Sequence, residues 1–416
     1  MIVRSDSKQT LSTQNRTTDN SQMRAHNAGV LLRHIWSMGE EGVSRAGLSR
    51  QCELSRSTVS GIISQLLDAG LIHESHQARS TGGRPPIVLR FVDQHSWIVG
   101  VELGASHVSA VLCDLRGRLR LELHTDHDVQ GDPDGSVRLM EKLIARCLAH
   151  PVVRGKRVIG IGVGVPCPID PAHPDQLSTR ILPRWGDIRL GAMLHSRFGL
   201  PTFIDNDANF GALAERWWGA GRGHDNFAYI KVATGVGAGL IIDSQIFRGS
   251  GGIAGEIGHT TIDTRGPRCR CGLSGCLEAM IGTASLLRRY HSLSPGSHSR
   301  VTGLDDIIDL ADAGDPVAEQ IIGETGGYLG IAVANLLNIF NPACVVLGGS
   351  LTRVGDRLLR PLRETIQERA LWHSIAGAEV CLTTLGDEAI AVGAATQVLA
   401  FALNDPTLFQ TTQQRS

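Results

Sequence analysis

Apolar residues are sparse through the first 26 positions, where Ser, Thr, Gln and Asn dominate, and this composition predicts a disordered tail over residues 1–26. From Asn27 the pattern changes, because Val30, Leu31, His34 and Ile35 recur at helical spacing. Ser44 is placed to cap a short helix reaching Cys52, Glu53 and Leu54 make a turn, and Ser55 caps a second helix that ends before Gly70. Along that second helix Val59, Ile62, Ile63, Leu66 and Leu67 form an apolar stripe, which leaves Arg56, Ser57, Thr58, Ser60 and Ser64 on the opposite face. Two strands follow, 71–77 and 87–92, joined by a turn whose R-S-T-G-G-R-P-P carries Arg79 and Arg84. Residues 27–92 therefore read as a winged helix-turn-helix. Short polar side chains and an arginine suit a major groove, and the arginine–glycine tip suits a minor groove.

A different rhythm starts at Trp97. The run I-V-G-V-E-L-G-A-S-H-V-S-A-V-L-C reads as strand, glycine turn, strand, and A-Y-I-K-V-A-T-G-V-G-A-G-L-I-I after Phe227 repeats the plan. Glycine turns of this kind are able to gather backbone amides around an anion. The second turn keeps Thr234, Gly235 and Gly237, whereas the first has Glu102, Gly104 and Ala105, whose Cβ obstructs close backbone approach. Between the hairpins, residues 159–165 form a glycine-alternating buried strand, and 203–215 run from a strand into a helix through Asn206 and Asp207. These two side chains suit either a helix cap or a ligand-facing pair at a strand end. Towards the C-terminus, residues 301–313 read as an acidic linker helix and 323–342 as a tightly packed, small-residue helix. A buried strand at 344–347 and a closing helix near 386–395 follow, with a fraying tail after Asn404.

With 416 residues the chain exceeds one ordinary core. No run of eighteen apolar residues and no signal-peptide core occur, which argues against a membrane partner and for a cytoplasmic protein. Residues 1–90 hold eleven Lys/Arg against seven Asp/Glu while the whole chain is at −1, so the front end is mildly basic on a mildly acidic body.

The densest chemistry lies at 256–278, E-I-G-H-T-T-I-D-T-R-G-P-R-C-R-C-G-L-S-G-C-L-E. Cys269, Cys271 and Cys276 with His259 supply three sulfurs and an imidazole, which close a tetrahedral zinc shell and leave no position for a catalytic water. A structural zinc knuckle is expected. Glu256 and Glu278 bracket it, and two carboxylates beside an oriented imidazole suit a polyhydroxylated ligand.

E-x-G-H followed by C-x-C-G-x-x-G-C-x-E resembles the signature of the ROK family, which groups sugar-responsive repressors with bacterial sugar kinases. The T-V-S-x-I-I-S-x-L-L-x-x-G-L-I and G-G-R-P-P segments resemble the winged helix of its repressors, and E-L-G is common in that branch where the kinases carry D-x-G-G-T. The resemblance implies an α/β chain in which the winged helix-turn-helix precedes a two-lobed actin-like (ribonuclease H-like) sugar kinase fold over 93–404, with a tail at 405–416. It implies zinc on His259, Cys269, Cys271 and Cys276, and a sugar facing Asn206, Asp207, Glu256, His259 and Glu278. Gly104, Thr234, Gly235 and Gly237 become vestigial phosphate loops. The expected function is a sugar-responsive repressor of carbohydrate-use genes, a homodimer or tetramer that binds an operator in double-stranded DNA and a small sugar or sugar phosphate. The alternatives are an ATP- and magnesium-dependent sugar kinase with an added DNA-binding domain, with Asp207 as general base, and a scaffold that binds another protein.

Overall fold

The computed structural model describes residues 12–76, 87–296, 301–371 and 378–409. It opens with helix α1 (Ser12–Ser37), α2 (Arg45–Gln51) and α3 (Arg56–Asp68), followed by the antiparallel ribbon β1 (Ile72–His76) and β2 (Ile87–Phe91). Helix α1 begins well before Asn27, so part of the tail expected to be disordered is helical. Burial of Leu31, Leu32 and Ile35 anchors its second half, and extending an existing helix needs no new nucleus even through a polar sequence. Ser44 and Ser55 cap as expected, accepting from the Gly47 amide at 3.0 Å and the Thr58 amide at 3.1 Å. Arg79 and Arg84 lie outside the described residues.

The first sheet is built from β3 (Ser96–Leu103), β4 (His107–Cys113), β5 (Leu119–Asp126), β6 (Arg157–Val165) and β7 (Thr202–Asn206). Helix α4 (Pro133–Leu148) lies between β5 and β6 in the chain, α5 (Leu190–Phe198) precedes β7, and α6 (Asp207–Trp218) leaves it. The second sheet begins with β8 (Phe227–Val232), β9 (Val236–Ile242) and β10 (Gln245–Phe247). After α7 (Leu277–Ile281), α8 (Thr283–Leu293), α9 (Leu304–Asp312) and α10 (Pro316–Phe340) come β11 (Cys344–Gly348), α11 (Asp356–Arg369), β12 (Glu379–Leu382) and the closing α12 (Ala389–Asn404). The strand orders are β5-β4-β3-β6-β7 and β10-β9-β8-β11-β12. Each sheet is thus a three-stranded antiparallel meander extended by two parallel strands. The repeat seen in the two glycine-bearing hairpins is a repeat of whole mixed sheets.

Helices α6 and α12 pack together and fill the space between the sheets, α12 on β3 and β6, α6 on β8 and β9. The contacts are backbone to backbone: a Cβ at Gly100 would stand 1.9 Å from the Ala391 carbonyl oxygen, and one at Gly393 1.8 Å from that of Phe210. Only glycine permits such approach. Helix α9 is no linker, since Leu304, Ile307, Ile308 and Ala311 are buried in the core of the second lobe. That stripe recurs at i, i+3, i+4 and i+7, the period of a packed helix, and its acidic residues mark only the outer face.

No break in the core separates the N-terminal unit from the body. Leu31, Leu32, Ile35, Leu71 and Phe91 share one buried cluster with Ile98, Val111, Leu399, Ala402 and Leu403. Residues 405–409 do not fray, because Pro406 and Phe409 are buried, the latter in this same cluster. Gly29 of α1 lies against the end of α12, where an added Cβ would meet the Asn404 oxygen at 2.4 Å. Gly29→Ala is expected to destabilise the protein by ~1–3 kcal/mol through overpacking, read as a lowered urea midpoint. An unchanged midpoint would show that α1 does not dock on α12.

Candidate functional site

Three elements converge at the floor of the cleft between the sheets. Strand β3 delivers Glu102, the N-terminus of α6 delivers Asp207, and β8 of the second lobe delivers Lys231. The Lys231 Nζ donates to Glu102 Oε1 at 3.1 Å and to Asp207 Oδ2 at 2.8 Å, and the three side chains are no more than 12 % exposed. Burial pushes the Glu102 carboxyl up, but the Lys231 ammonium and the His107 ring, 3.5 Å away, outweigh it and hold the pKa at about 2. Burial works against the charged Lys231 as well, yet Asp207 and Glu102 raise its pKa, so it stays an ammonium. A lysine ammonium therefore stands between two buried carboxylates and balances their charge. Asp207 has a donor on each oxygen, since Oδ1 accepts the Ala208 amide at 2.7 Å.

Asn206 caps α6, its Oδ1 accepting from Ala208 and Asn209 at 3.0 and 3.3 Å. The capping role weighed from the sequence is thus realised. Beside it, Asp205 accepts from Arg248 Nε at 2.9 Å, a second ion pair between the lobes. Glu256 sits near Asp207 and Glu278. Burial first, then the charge of those two carboxylates, raises its pKa to about 7, so near neutral pH it populates a form that both donates and accepts.

Glu278 faces the second glycine turn, accepting the Val236 amide at 3.2 Å, and is held by Arg270 at 2.7 and 3.1 Å. Gly235 leaves room for that carboxylate, as a Cβ there would lie 2.8 Å from Oε2. The amide expected to cradle a phosphate thus has an acidic partner within the chain. In the first turn Gly104 closes the hairpin through its amide on the His107 carbonyl at 2.9 Å and lies under the His107 ring.

His259, Cys269, Cys271 and Cys276 offer ligand atoms all within 4.8 Å of one another. Cys269 Sγ lies 3.6 Å from His259 Nδ1, and Cys271 Sγ 3.6 Å from Cys276 Sγ. Metal–sulfur bonds of about 2.3 Å and metal–nitrogen bonds of about 2.0 Å give tetrahedral edges of ~3.8 Å (S–S) and ~3.5 Å (S–N). The four donors fit a tetrahedral metal, with Nε2 of His259 turned to Glu256 at 3.8 Å.

On the N-terminal unit, Arg56, Ser57, Ser60 and Ser64 are exposed along α3. Thr58 is half-buried, its hydroxyl 2.8 Å from that of Ser55 in the helix cap. The other end of α6 touches this unit: Trp36 of α1 packs on Trp217 at 5.1 Å and Trp218 at 6.0 Å, and Arg116 lies 4.5 Å over its ring. Sequence reading missed Lys231, Arg248, Arg270 and this tryptophan cluster. Only Lys231 carried a signal, as the single charge in an otherwise apolar strand.

A model of the ROK family matches residues 98–400. The chain belongs to the ROK family. It is 32 % identical over 373 residues to a xylose repressor of Caldicellulosiruptor bescii, covering 88 % of this chain and 93 % of that protein. A crystal structure of a ROK family transcriptional regulator, described as a homolog of the E. coli MLC protein, superposes with a TM-score of 0.76 at 27 % identity, covering 93 % and 98 % of the two chains. A ROK family glucokinase from Streptomyces griseus in complex with glucose and AMPPNP gives 0.64 at 28 % identity, covering 73 % of this chain but 99 % of its own. The chain contains the whole length of a ROK kinase with about a quarter of additional sequence, and the ROK regulator matches both.

Within this ROK body, Lys231→Met is expected to destabilise the fold by ~3–5 kcal/mol, because it strands two buried carboxylates. The pH dependence should also invert. In the parent the depressed Glu102 pKa contributes stability above its ordinary 4.5 that is lost as pH falls towards about 2. Without the ammonium, burial raises the carboxyl, so stability is lost as pH rises. Denaturation at a series of pH values checks this, and a variant with the parent's profile would refute the assignment.

Proposed function

We propose that this chain is a sugar-responsive transcriptional repressor of carbohydrate-use genes. In this reading residues 27–92 are a winged helix-turn-helix, preceded by a helical arm, and residues 93–404 receive the effector. Helix α3 enters the major groove with Arg56, Ser57, Ser60 and Ser64, while Arg79 and Arg84 follow the minor groove. The repressors and the regulator matched along nearly the full chain support an operator partner and a sugar effector. Zinc on His259, Cys269, Cys271 and Cys276 would hold the knuckle and orient the His259 ring, supplying structure and no chemistry.

The observation that carries the reading is the span of α6. Its first turn holds Asn206 and Asp207 at the cleft, and its last turn packs Trp217 and Trp218 on Trp36 of the N-terminal unit. A sugar received by Asn206, Asp207, Glu256, His259 and Glu278 favours one arrangement of the lobes, and α6 transmits that preference to the spacing of paired DNA-reading units in an oligomer. No helix among the described residues is long and apolar enough to cross a membrane, and a cytoplasmic protein suits an operator-binding role. Kinase activity is disfavoured because Glu102 and Ala105 stand in the first turn where the family's kinases carry D-x-G-G-T, and Lys231 already pairs with Glu102 and Asp207.

The test is a mobility shift with the DNA flanking the protein's own gene, across free and phosphorylated pentoses and hexoses, beside a coupled ADP-release assay. We expect a retarded band that one sugar alters at least ~10-fold in midpoint, and no ADP release. Glu256→Ala should keep the band and lose the sugar response. Absence of any shift together with sugar-dependent ADP release would replace this reading with a kinase.

A further inference from the structure

At the end of α6 remote from the cleft, three donor side chains meet on the second sheet, and a fourth, Cys381, lies beside one of them. Cys344 starts β11, Glu379 starts β12 beside it, and Cys381 follows two residues on, so all three share one face of adjacent parallel strands. His224 comes from the 219–226 loop joining α6 to β8, which is held against them by the Ala343 amide donating to the Asn226 carbonyl at 3.0 Å. The ligand atoms of His224, Cys344 and Glu379 all lie within 4.8 Å of one another. Cys381 Sγ is 3.8 Å from Cys344 Sγ. That is far longer than a disulfide of about 2.05 Å and equals the ~3.8 Å edge of a tetrahedron of two thiolates on zinc.

We propose that His224, Cys344 and Glu379 form a second metal site, of the zinc class and separate from the His259 cluster, with Cys381 turning in beside Cys344 to complete the shell on binding. A ligand set of one imidazole, one carboxylate and two thiolates is borderline-soft and favours zinc over magnesium or calcium, which select oxygen. Glu379 is exposed while His224 and Cys381 are half-buried, so the ion enters from solvent, and Cys344 closes the inner side. Bound there, the metal staples the loop that follows Trp217 and Trp218 to β11 and β12. The proposal does not depend on the repressor reading.

The test uses the full-length chain, purified reduced, loaded with zinc, desalted and analysed by plasma mass spectrometry. Two equivalents per chain are expected, falling to one in Glu379→Gln, at an exposed position, and in His224→Ala, in the half-buried loop outside the core clusters. Competition with a chromophoric chelator should show the weaker site losing at least ~10-fold affinity in each variant. Cobalt in place of zinc should give thiolate charge-transfer absorption from two sites, with one component reduced in Cys381→Ser. One equivalent in the parent chain, or two that survive both substitutions, overturns the proposal. So does a Cys344–Cys381 disulfide found by peptide mapping whose reduction restores no second equivalent.

Discussion

The close approach of α6 to α12 and of both helices to the sheets is the constraint on which the remaining geometry depends. Backbone contact at Gly100 and Gly393 leaves α6 no room to slide independently, because packed interiors resist small displacements. The helix is therefore held as a single body from Asp207 to Trp218. Its position decides both where the carboxylate meets Lys231 and where the tryptophans meet α1.

The cleft floor shows how a kinase-like fold accommodates a different electrostatic arrangement. Glu102 and Asp207 approach each other from separate elements, and two buried carboxylates need a cation. Here β8 supplies it covalently. The turn amide of Val236 is likewise satisfied by Glu278, which Arg270 balances. Polar groups suited to an exogenous ligand are already partnered within the chain, leaving Glu256 and the His259 edge as the less committed part of the site.

Much of this was legible in the sequence, for reasons that can be named. The capping serines and the apolar stripe of α3 are local signals that appear where their period placed them, and the spaced cysteines with His259 come together as a donor cluster that could hold a metal. The two hairpins announced a repeat, and the strands at 159–165, from 203 and at 344–347 were legible one by one, but their parallel pairing into each sheet and β12 are non-local and left no mark. The start of α1 was missed because helix extension depends on the anchor at Leu31, Leu32 and Ile35, well along the helix, rather than on the polar residues themselves. The burial of 405–409 was not legible because Phe409 finds its cover in a cluster shared with N-terminal residues distant in sequence. Ion pairs such as Arg248 with Asp205 join residues 43 apart, and no pattern along the chain reports them.

A tethered cation differs from a dissolved one in a way that bears on physiology. Magnesium and its nucleotide complexes exchange with the surroundings, so a site that uses them follows their concentration. The ammonium of Lys231 cannot be depleted or displaced by dilution, and its neutralising charge is present in every folded molecule. The balance at the cleft floor is thus set by the chain alone, and does not vary with the supply of dissolved cations.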